Sequence, residues 1–173
     1  MLGKNAQAPL VGYGALKILV IDDNLHMRSI IKAILKGVGI PHPREATDGA
    51  EGLEILRNYP ADIALVDFTM RHLDGVEFAR LLRNSKDSLN PYLPVIMISG
   101  HSTREKVIQA RDAGVNEFVT KPLTARGLLT RMQNVVMNPR PFIRNKSYFG
   151  PDRRRANPVN FAGPYRRQTD GVI

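Results

Sequence analysis

The chain has no cysteine among its 173 residues. Disulfides and thiolate metal sites are therefore excluded, which suits a reducing, cytoplasmic setting. No uninterrupted apolar run reaches the roughly 18 residues that a membrane span needs. The N-terminal stretch carries Lys4, but Gly12, Gly14 and Lys17 break its apolar character and no small-residue cleavage pattern follows. Residues 1–14 therefore read as an arm, not a secretory leader. Acidic residues are scarce at the other end. Residues 139–173 hold two of the 16 acids but eight of the 25 lysines and arginines, so most of the net charge of +9 sits there. The hydrophobic fraction of 43% and charged fraction of 24% are ordinary for a globular chain with a sizeable core.

From residue 15 to 138, short apolar runs alternate with amphipathic stretches. Lys17 to Ile21 is a β-rich run ending in Asp22-Asp23, and Asn24 can cap a helix with Leu25, Ile30, Ile31, Ile34 and Leu35 at helical spacing. A weak second strand is expected near Arg44 to Thr47, then a helix capped by Asp48 and closed by Tyr59-Pro60. Asp62 to Asp67 forms the third strand, Val76 to Asn84 the third helix and Pro94 to Ser99 the fourth strand. Ser102 or Thr103 can cap a helix that ends at Ala113-Gly114, where glycine suits the C-terminal cap. Glu117 to Thr120 is a fifth strand, and Thr124 caps a last helix running to about Asn138. Five strands alternating with five helices imply an α/β fold with an open parallel sheet covered on both faces.

In such sheets ligands bind beyond the carboxyl ends of the strands. Here those ends carry Asp22-Asp23, Asp67, Ser99 and Thr120-Lys121-Pro122. Three carboxylates brought to one crevice repel each other, and a hard divalent cation is the natural remedy. Mg²⁺ favours oxygen ligands of this kind, with Mn²⁺ as the alternative. Lys121 adds a compact positive charge and Ser99 a hydroxyl donor. The set is suited to phosphoryl transfer onto a carboxylate nucleophile.

The order Asp22-Asp23, Asp67, Ser99, Lys121-Pro122 resembles the CheY-like response-regulator receiver family over about residues 15–138. Asp74-Gly75, Ala113-Gly114 and Phe118 add to the resemblance. It implies a doubly wound (βα)5, flavodoxin-like fold in which Asp67 is the phosphoryl acceptor. Asp23 would ligate Mg²⁺ directly, Asp22 directly or through water, and Thr69 through its backbone carbonyl. Lys121 would contact the phosphoryl group, Pro122 would follow a cis peptide bond, and Ser99 would hydrogen-bond a phosphoryl oxygen. Phe118 would be the switch aromatic, turning inward as Ser99 is drawn to the acyl phosphate and reshaping the face of the fourth helix, fifth strand and fifth helix. Thr69, His101 and the small Gly100 sit where the family tunes acyl-phosphate lifetime. The implied donor is a histidine kinase or phosphotransfer protein, and the implied output is contact with an effector protein. No separate enzyme activity is expected beyond Mg²⁺-dependent self-phosphorylation from a phosphodonor and self-dephosphorylation.

Two features depart from that pattern. The loop after Asp67 reads Phe68-Thr69-Met70-Arg71, where the family usually has Met-Pro, so Arg71 stands near the site as either a phosphodonor contact or a solvated surface residue. A haloacid-dehalogenase-like phosphatase would need a second Asp two residues after its nucleophile, and Asn24 occupies that place after Asp22. His26, His42 and His72 show no metal-ligand spacing. Asp48, Asp62 and Asp74 suit caps and turns.

The second departure is the extension 139–173, too short for a helix-turn-helix output domain. It interleaves Phe142, Tyr148 and Phe149 with Arg153, Arg154 and Arg155. Three readings stand open. The aromatics anchor it on its own receiver or on a dimer mate with arginines outward, or it docks an acidic protein partner, or it binds nucleic acid through phosphate contacts and stacking. The first two suit a receiver that signals by contact; the last two also fit an adaptor acting mainly through its tail.

Overall fold

The computed structural model describes residues 12–100, 103–154 and 171–172. After a single 3-10 turn at Tyr13–Ala15 come β1 (Ile18–Ile21), α1 (Leu25–Gly37), β2 (Arg44–Ala46), α2 (Gly49–Leu56) and β3 (Ile63–Asp67). Then follow α3 (Gly75–Asn84), β4 (Val95–Ser99), α4 (Arg104–Asp112), β5 (Glu117–Thr120) and α5 (Ala125–Met137). The five strands form one parallel sheet in the order β2-β1-β3-β4-β5.

Every residue of β1, β3 and β4 is buried, because both faces of the sheet are covered. Alternation along the strands separates two cores. Leu19, Ile21, Ala64, Val66, Val95 and Met97 face α2, α3 and α4, where they meet Phe78, Ala79 and Ala110. Ile18, Val20, Ile63, Leu65, Ile96 and Ile98 face Ile31 and Leu35 of α1 and Leu128 and Met132 of α5.

Each helix starts on a side-chain cap. Asn24, Asp48, Asp74, Thr103 and Thr124 accept from the first free amides of α1 to α5, and Asp74 forms a reciprocal capping box with Glu77. Asp62 accepts from the Lys17 amide at 2.7 Å, a loop contact between the starts of β1 and β3. Gly114 follows α4 with φ of +87°, the left-handed conformation that glycine adopts without strain.

The extension adds a second sheet. β6 (Phe142–Arg144) lies between β7 (Phe149–Pro151) and β8 (Gly171–Val172), antiparallel to both. Asn145 shapes the β6–β7 turn, its side chain accepting from the Ser147 amide at 3.0 Å and its own amide donating to the Tyr148 carbonyl at 2.9 Å. This hairpin lies against residues just before β4 and β5, the amino ends of those strands. Tyr92, Phe142 and Phe149 stack with centroids 5.1 to 5.6 Å apart. The Arg83 guanidinium lies 5.1 Å from the Phe142 ring. It donates to the Gly114 and Pro91 carbonyls and to Asn116 Oδ1. Burial lowers its pKa to about 10, so it stays charged at neutral pH.

Candidate functional site

Asp67 and Ser99 are the last residues of β3 and β4, and Lys121 directly follows β5. Parallel pairing sets them side by side: Asp67 lies opposite Ile98, and Ser99 opposite Thr120. The ladder continues past the strand ends, with the Phe68 amide on the Ile98 carbonyl and the Lys121 amide on the Ser99 carbonyl, both at 2.7 Å. Asp22 follows β1 and is held there as its amide donates to the Ala46 carbonyl at 3.1 Å. The Lys121–Pro122 peptide bond is cis.

Lys121 Nζ lies 2.6 Å from Asp67 Oδ1 and 3.7 Å from Asp22 Oδ2. The other Asp67 oxygen, Oδ2, accepts from the Thr69 amide at 3.0 Å. Asp22 Oδ1 accepts from the Asn24 amide at 2.8 Å. Asp22 Oδ2 is buried and has no hydrogen-bond partner among the described residues. Asp22 is 1% exposed, Asp67 6% and Ser99 1%, so all three are nearly shut off from solvent. Burial raises the pKa of Asp22 most, and the charge of Asp67 adds to it; the Asn24 amide and Lys121 oppose.

Asp23 behaves differently. It is exposed, and its Oδ2 accepts from the Arg71 amide at 3.2 Å. Among the described residues no three carboxylate or imidazole side chains are gathered as a ready metal cluster. The expected convergence of three carboxylates is thus met by Asp22 and Asp67 around Lys121, with Asp23 turned to the loop after β3. The reason is local: Asp23 precedes the N-cap of α1 and points to solvent, while Asp22 continues the buried strand. Arg71 meets the site through its backbone.

Some contributors escape a reading of the sequence. Arg28 donates through Nη1 to the Asp22 carbonyl at 2.7 Å while its Nε pairs with Glu45 at 3.0 Å, tying the β1–α1 corner to β2. Nothing in the spacing of Arg28 marks it. Gly75 follows Asp74 in the family-like pattern, and packing gives its role: a Cβ there would lie 2.2 Å from the Asp67 carbonyl oxygen and 2.8 Å from Met97 Sδ. Phe68 meets Phe118 edge-on with centroids 6.5 Å apart, and Lys106 Nζ stands 5.0 Å from the Phe68 ring centroid. Gly100 is exposed and a Cβ on it would meet nothing within 4 Å. His101 and Arg155 lie outside the described residues.

Phe142, Tyr148 and Phe149 stand at the opposite edge of the sheet from Asp67. Tyr148 donates its hydroxyl to the Pro151 carbonyl at 2.8 Å, and burial raises its pKa against the opposing charge of Arg153. Arg153 stacks 3.9 Å from the Tyr148 ring centroid and reaches Asp112 at 3.4 Å, while Arg154 pairs with Asp152 at 3.1 Å. Arg153 is therefore folded against the receiver, not turned outward, because ring and carboxylate compensate its desolvation.

A doubly wound parallel sheet with a lysine-paired aspartate at its carboxyl edge is the frame on which the site is built. The family model described as response regulator receiver domain matches residues 18–133, and the chain belongs to that family. The chemotaxis protein CheY of Pseudomonas aeruginosa is 35% identical over 120 residues, covering 69% of this chain and 95% of that protein. CheY-3 of Vibrio cholerae is 33% identical, covering 69% and 91%. Among solved structures, CheY4 of Vibrio cholerae aligns with a TM-score of 0.64 at 26% identity, over 69% of this chain and 98% of that one. The CheX–CheY–BeF₃–Mg²⁺ complex of Borrelia burgdorferi aligns with a TM-score of 0.63 at 28% identity, over 70% and 89%. The five-stranded parallel receiver fold and a role as a response regulator in two-component signalling follow from this membership. The extension beyond α5 lies outside the matched residues.

Proposed function

We propose that Asp67 accepts a phosphoryl group from a phosphohistidine donor, a histidine kinase or phosphotransfer protein, and that the acyl phosphate switches contact with an effector protein. The observation that carries this reading is the 2.6 Å pair between Lys121 Nζ and Asp67 Oδ1, set beside a buried Asp22 oxygen that lacks a partner. A carboxylate oxygen of Asp67 forms the new bond to phosphorus as the bond to the donor imidazole nitrogen breaks, and that nitrogen keeps the electron pair. Lys121 holds Asp67 in place before transfer, then offsets charge on the phosphoryl oxygens afterwards. The Thr69 amide orients the second carboxylate oxygen, and the Ser99 hydroxyl is placed to donate to a phosphoryl oxygen.

The donor set suits Mg²⁺, since an orphaned, buried carboxylate oxygen is the ligand a hard cation would satisfy. Asp22, Asp67 and the Thr69 carbonyl would hold it, with Asp23 inside or just outside its shell. The ion would supply charge neutralisation between the carboxylates and the incoming phosphoryl oxygens. Two of the solved neighbours carry Mg²⁺ and BeF₃⁻, the Borrelia burgdorferi complex and the receiver domain of the histidine kinase CKI1 from Arabidopsis thaliana. Thr69, Gly100 and His101 would set how long the acyl phosphate lasts, Phe118 would turn with the switch, and the setting would be the cytoplasm. No helix among the described residues is long and apolar enough to cross a membrane.

A tail-led adaptor that binds nucleic acid is less well supported. Phe142 and Phe149 are engaged with Tyr92 and with each other instead of being presented for base stacking. The test is Mg²⁺-dependent phosphorylation by acetyl phosphate, read by intact mass, beside Asp67→Asn. One added phosphoryl group is expected, absent in the variant and absent without Mg²⁺. Failure with acetyl phosphate and with a phosphorylated histidine donor, together with no beryllofluoride binding, would overturn the reading.

A further inference from the structure

Burial and the charge of Asp67 both disfavour a charged Asp22, whose Oδ2 has no partner among the described residues. A site under that stress keeps its shape only if the backbone beneath it is fixed. Otherwise part of a cation's binding energy is lost to assembling its ligands. Here the backbone is gripped on both sides of the Asp22 Cα. Its amide donates to the Ala46 carbonyl at 3.1 Å, and its carbonyl accepts from Arg28 Nη1 at 2.7 Å. Arg28 is held in turn, its Nε donating to Glu45 Oε2 at 3.0 Å. Lys32, one turn further along α1, donates to the other carboxylate oxygen, Glu45 Oε1, at 2.8 Å. Both grips therefore lead to adjacent residues of β2, Glu45 and Ala46. That edge strand is itself registered on β1, with Val20 opposite Glu45 and Ile21 opposite Ala46.

The Arg28 side chain is 12% exposed, so water competes little for its donors. Its effect on Asp22 is one of direction, because it meets the carbonyl and not the carboxyl. The charged groups that act on that carboxyl are Asp67, Lys121 and Asp23. The carbonyl held by Arg28 belongs to the peptide unit joining Asp22 to Asp23. Such a unit is planar and stiff, so a tilt at one residue is carried into the next. A guanidinium suits the place, since its flat fork presents Nε and Nη1 to two acceptors on different strands.

We propose that Arg28 is a positioning residue for the divalent cation: bridging Glu45 of β2 to the Asp22 carbonyl, it fixes the peptide unit that joins Asp22 to Asp23. The inference rests on the reading of Asp22 and Asp67 as Mg²⁺ ligands. An ion pair that served only the fold would add to stability and leave the cation affinity of the folded chain unaltered. Arg28→Lys keeps the charge but has no fork to span both acceptors. Glu45→Ala leaves the guanidinium in the chain and removes its anchor. Glu45→Gln removes the negative charge yet keeps an oxygen that Arg28 Nε can reach.

Mg²⁺ binding to the full chain and to these three variants is measured by calorimetry, at a temperature where urea midpoints show each to be folded. Affinity is expected to fall about tenfold in Arg28→Lys and in Glu45→Ala, and to recover most of that loss in Glu45→Gln. The Mg²⁺ concentration giving half-maximal acetyl phosphate labelling should rise in step. Should Arg28→Lys not fold, the Glu45 pair decides alone, because the Glu45 side chain is 31% exposed and tolerates replacement more readily. Unchanged affinity in either Arg28→Lys or Glu45→Ala would overturn the positioning role. So would a loss in Glu45→Gln as deep as in Glu45→Ala, which would assign the effect to charge instead of direction. An unsubstituted chain that binds no Mg²⁺ sinks the metal reading itself. One that binds it, beside variants that bind it equally well, sinks the role of Arg28 alone.

Discussion

Asp22 is a buried carboxylate whose charge is only partly compensated. Its Oδ2 is shut away from water, its nearest cation is Lys121 at 3.7 Å, and its pKa is raised chiefly by burial. A raised folded-state pKa means that the native protein holds this proton more tightly than the unfolded chain does. The contribution of this group is therefore most favourable at low pH and is lost as pH rises through the raised value. Above that value the metal-free protein bears the full penalty. Asp22→Asn is expected to raise metal-free stability by about 1–2 kcal/mol in urea denaturation while abolishing Mg²⁺ binding. Protons compete with the cation for the same carboxylate, so Mg²⁺ affinity of the unsubstituted protein should fall as pH drops through that value, as a Mg²⁺ titration at several pH values would show. Gly75 is the opposite case, a residue whose importance is the absence of atoms. Gly75→Ala drives a methyl into the Asp67 carbonyl and Met97, and should cost on the order of 1–3 kcal/mol and slow acetyl phosphate labelling by displacing Asp67. A stable, normally labelled variant would show that the β3–α3 loop gives way freely.

Among the elements, the hairpin β6–β7 depends on a few wedged contacts. A Cβ on Gly150 would meet the Gly114 Cα at 2.8 Å, and a Cβ on Gly114 would meet the Phe149 carbonyl oxygen at 2.9 Å, so two glycines let the hairpin and the α4–β5 loop touch through their backbones. Phe149 is 3% exposed and stacks on Tyr92. Phe149→Ala should remove roughly 3 kcal/mol, read as a lower urea midpoint, and speed amide exchange through residues 142–151. Labelling of Asp67 should survive, because that site lies at the other end of the strands. The core strands were legible from composition because β1, β3 and β4 are buried on both faces and read as unbroken apolar runs. The weakest expectation, β2, is an edge strand of three residues carrying Arg44 and Glu45, and its place comes from pairing with β1. The second sheet was not legible at all. Its strands are two or three residues long, too short for any period, and they exist because β6 finds partners on both sides.

At the scale of the molecule, receiver and extension share buried contacts. Arg83, 1% exposed, binds the α4–β5 loop and faces Phe142 across the join. The two parts should unfold together. Far-ultraviolet dichroism and tyrosine fluorescence, to which Tyr92 and Tyr148 at the join contribute among five tyrosines, are expected to give coincident transitions. A chain ending at Asn138 should melt at a lower temperature yet still accept phosphate; two separated transitions in the full chain would show that the extension docks without contributing to the fold. The order of acids, hydroxyl and lysine at strand ends was readable in one dimension, because strand period, helix caps and the parallel α/β plan are local patterns that carry those ends to one edge. The receiver fold and Asp67 as its candidate acceptor follow from that. The rest came from contacts between residues far apart in the chain: Asp22 left with an unpartnered oxygen, Asp23 turned away from the pair, and Arg140 and Arg153 brought round to α4. No local periodicity encodes such meetings, since they depend on which surfaces remain uncovered once the sheet and its helices have packed.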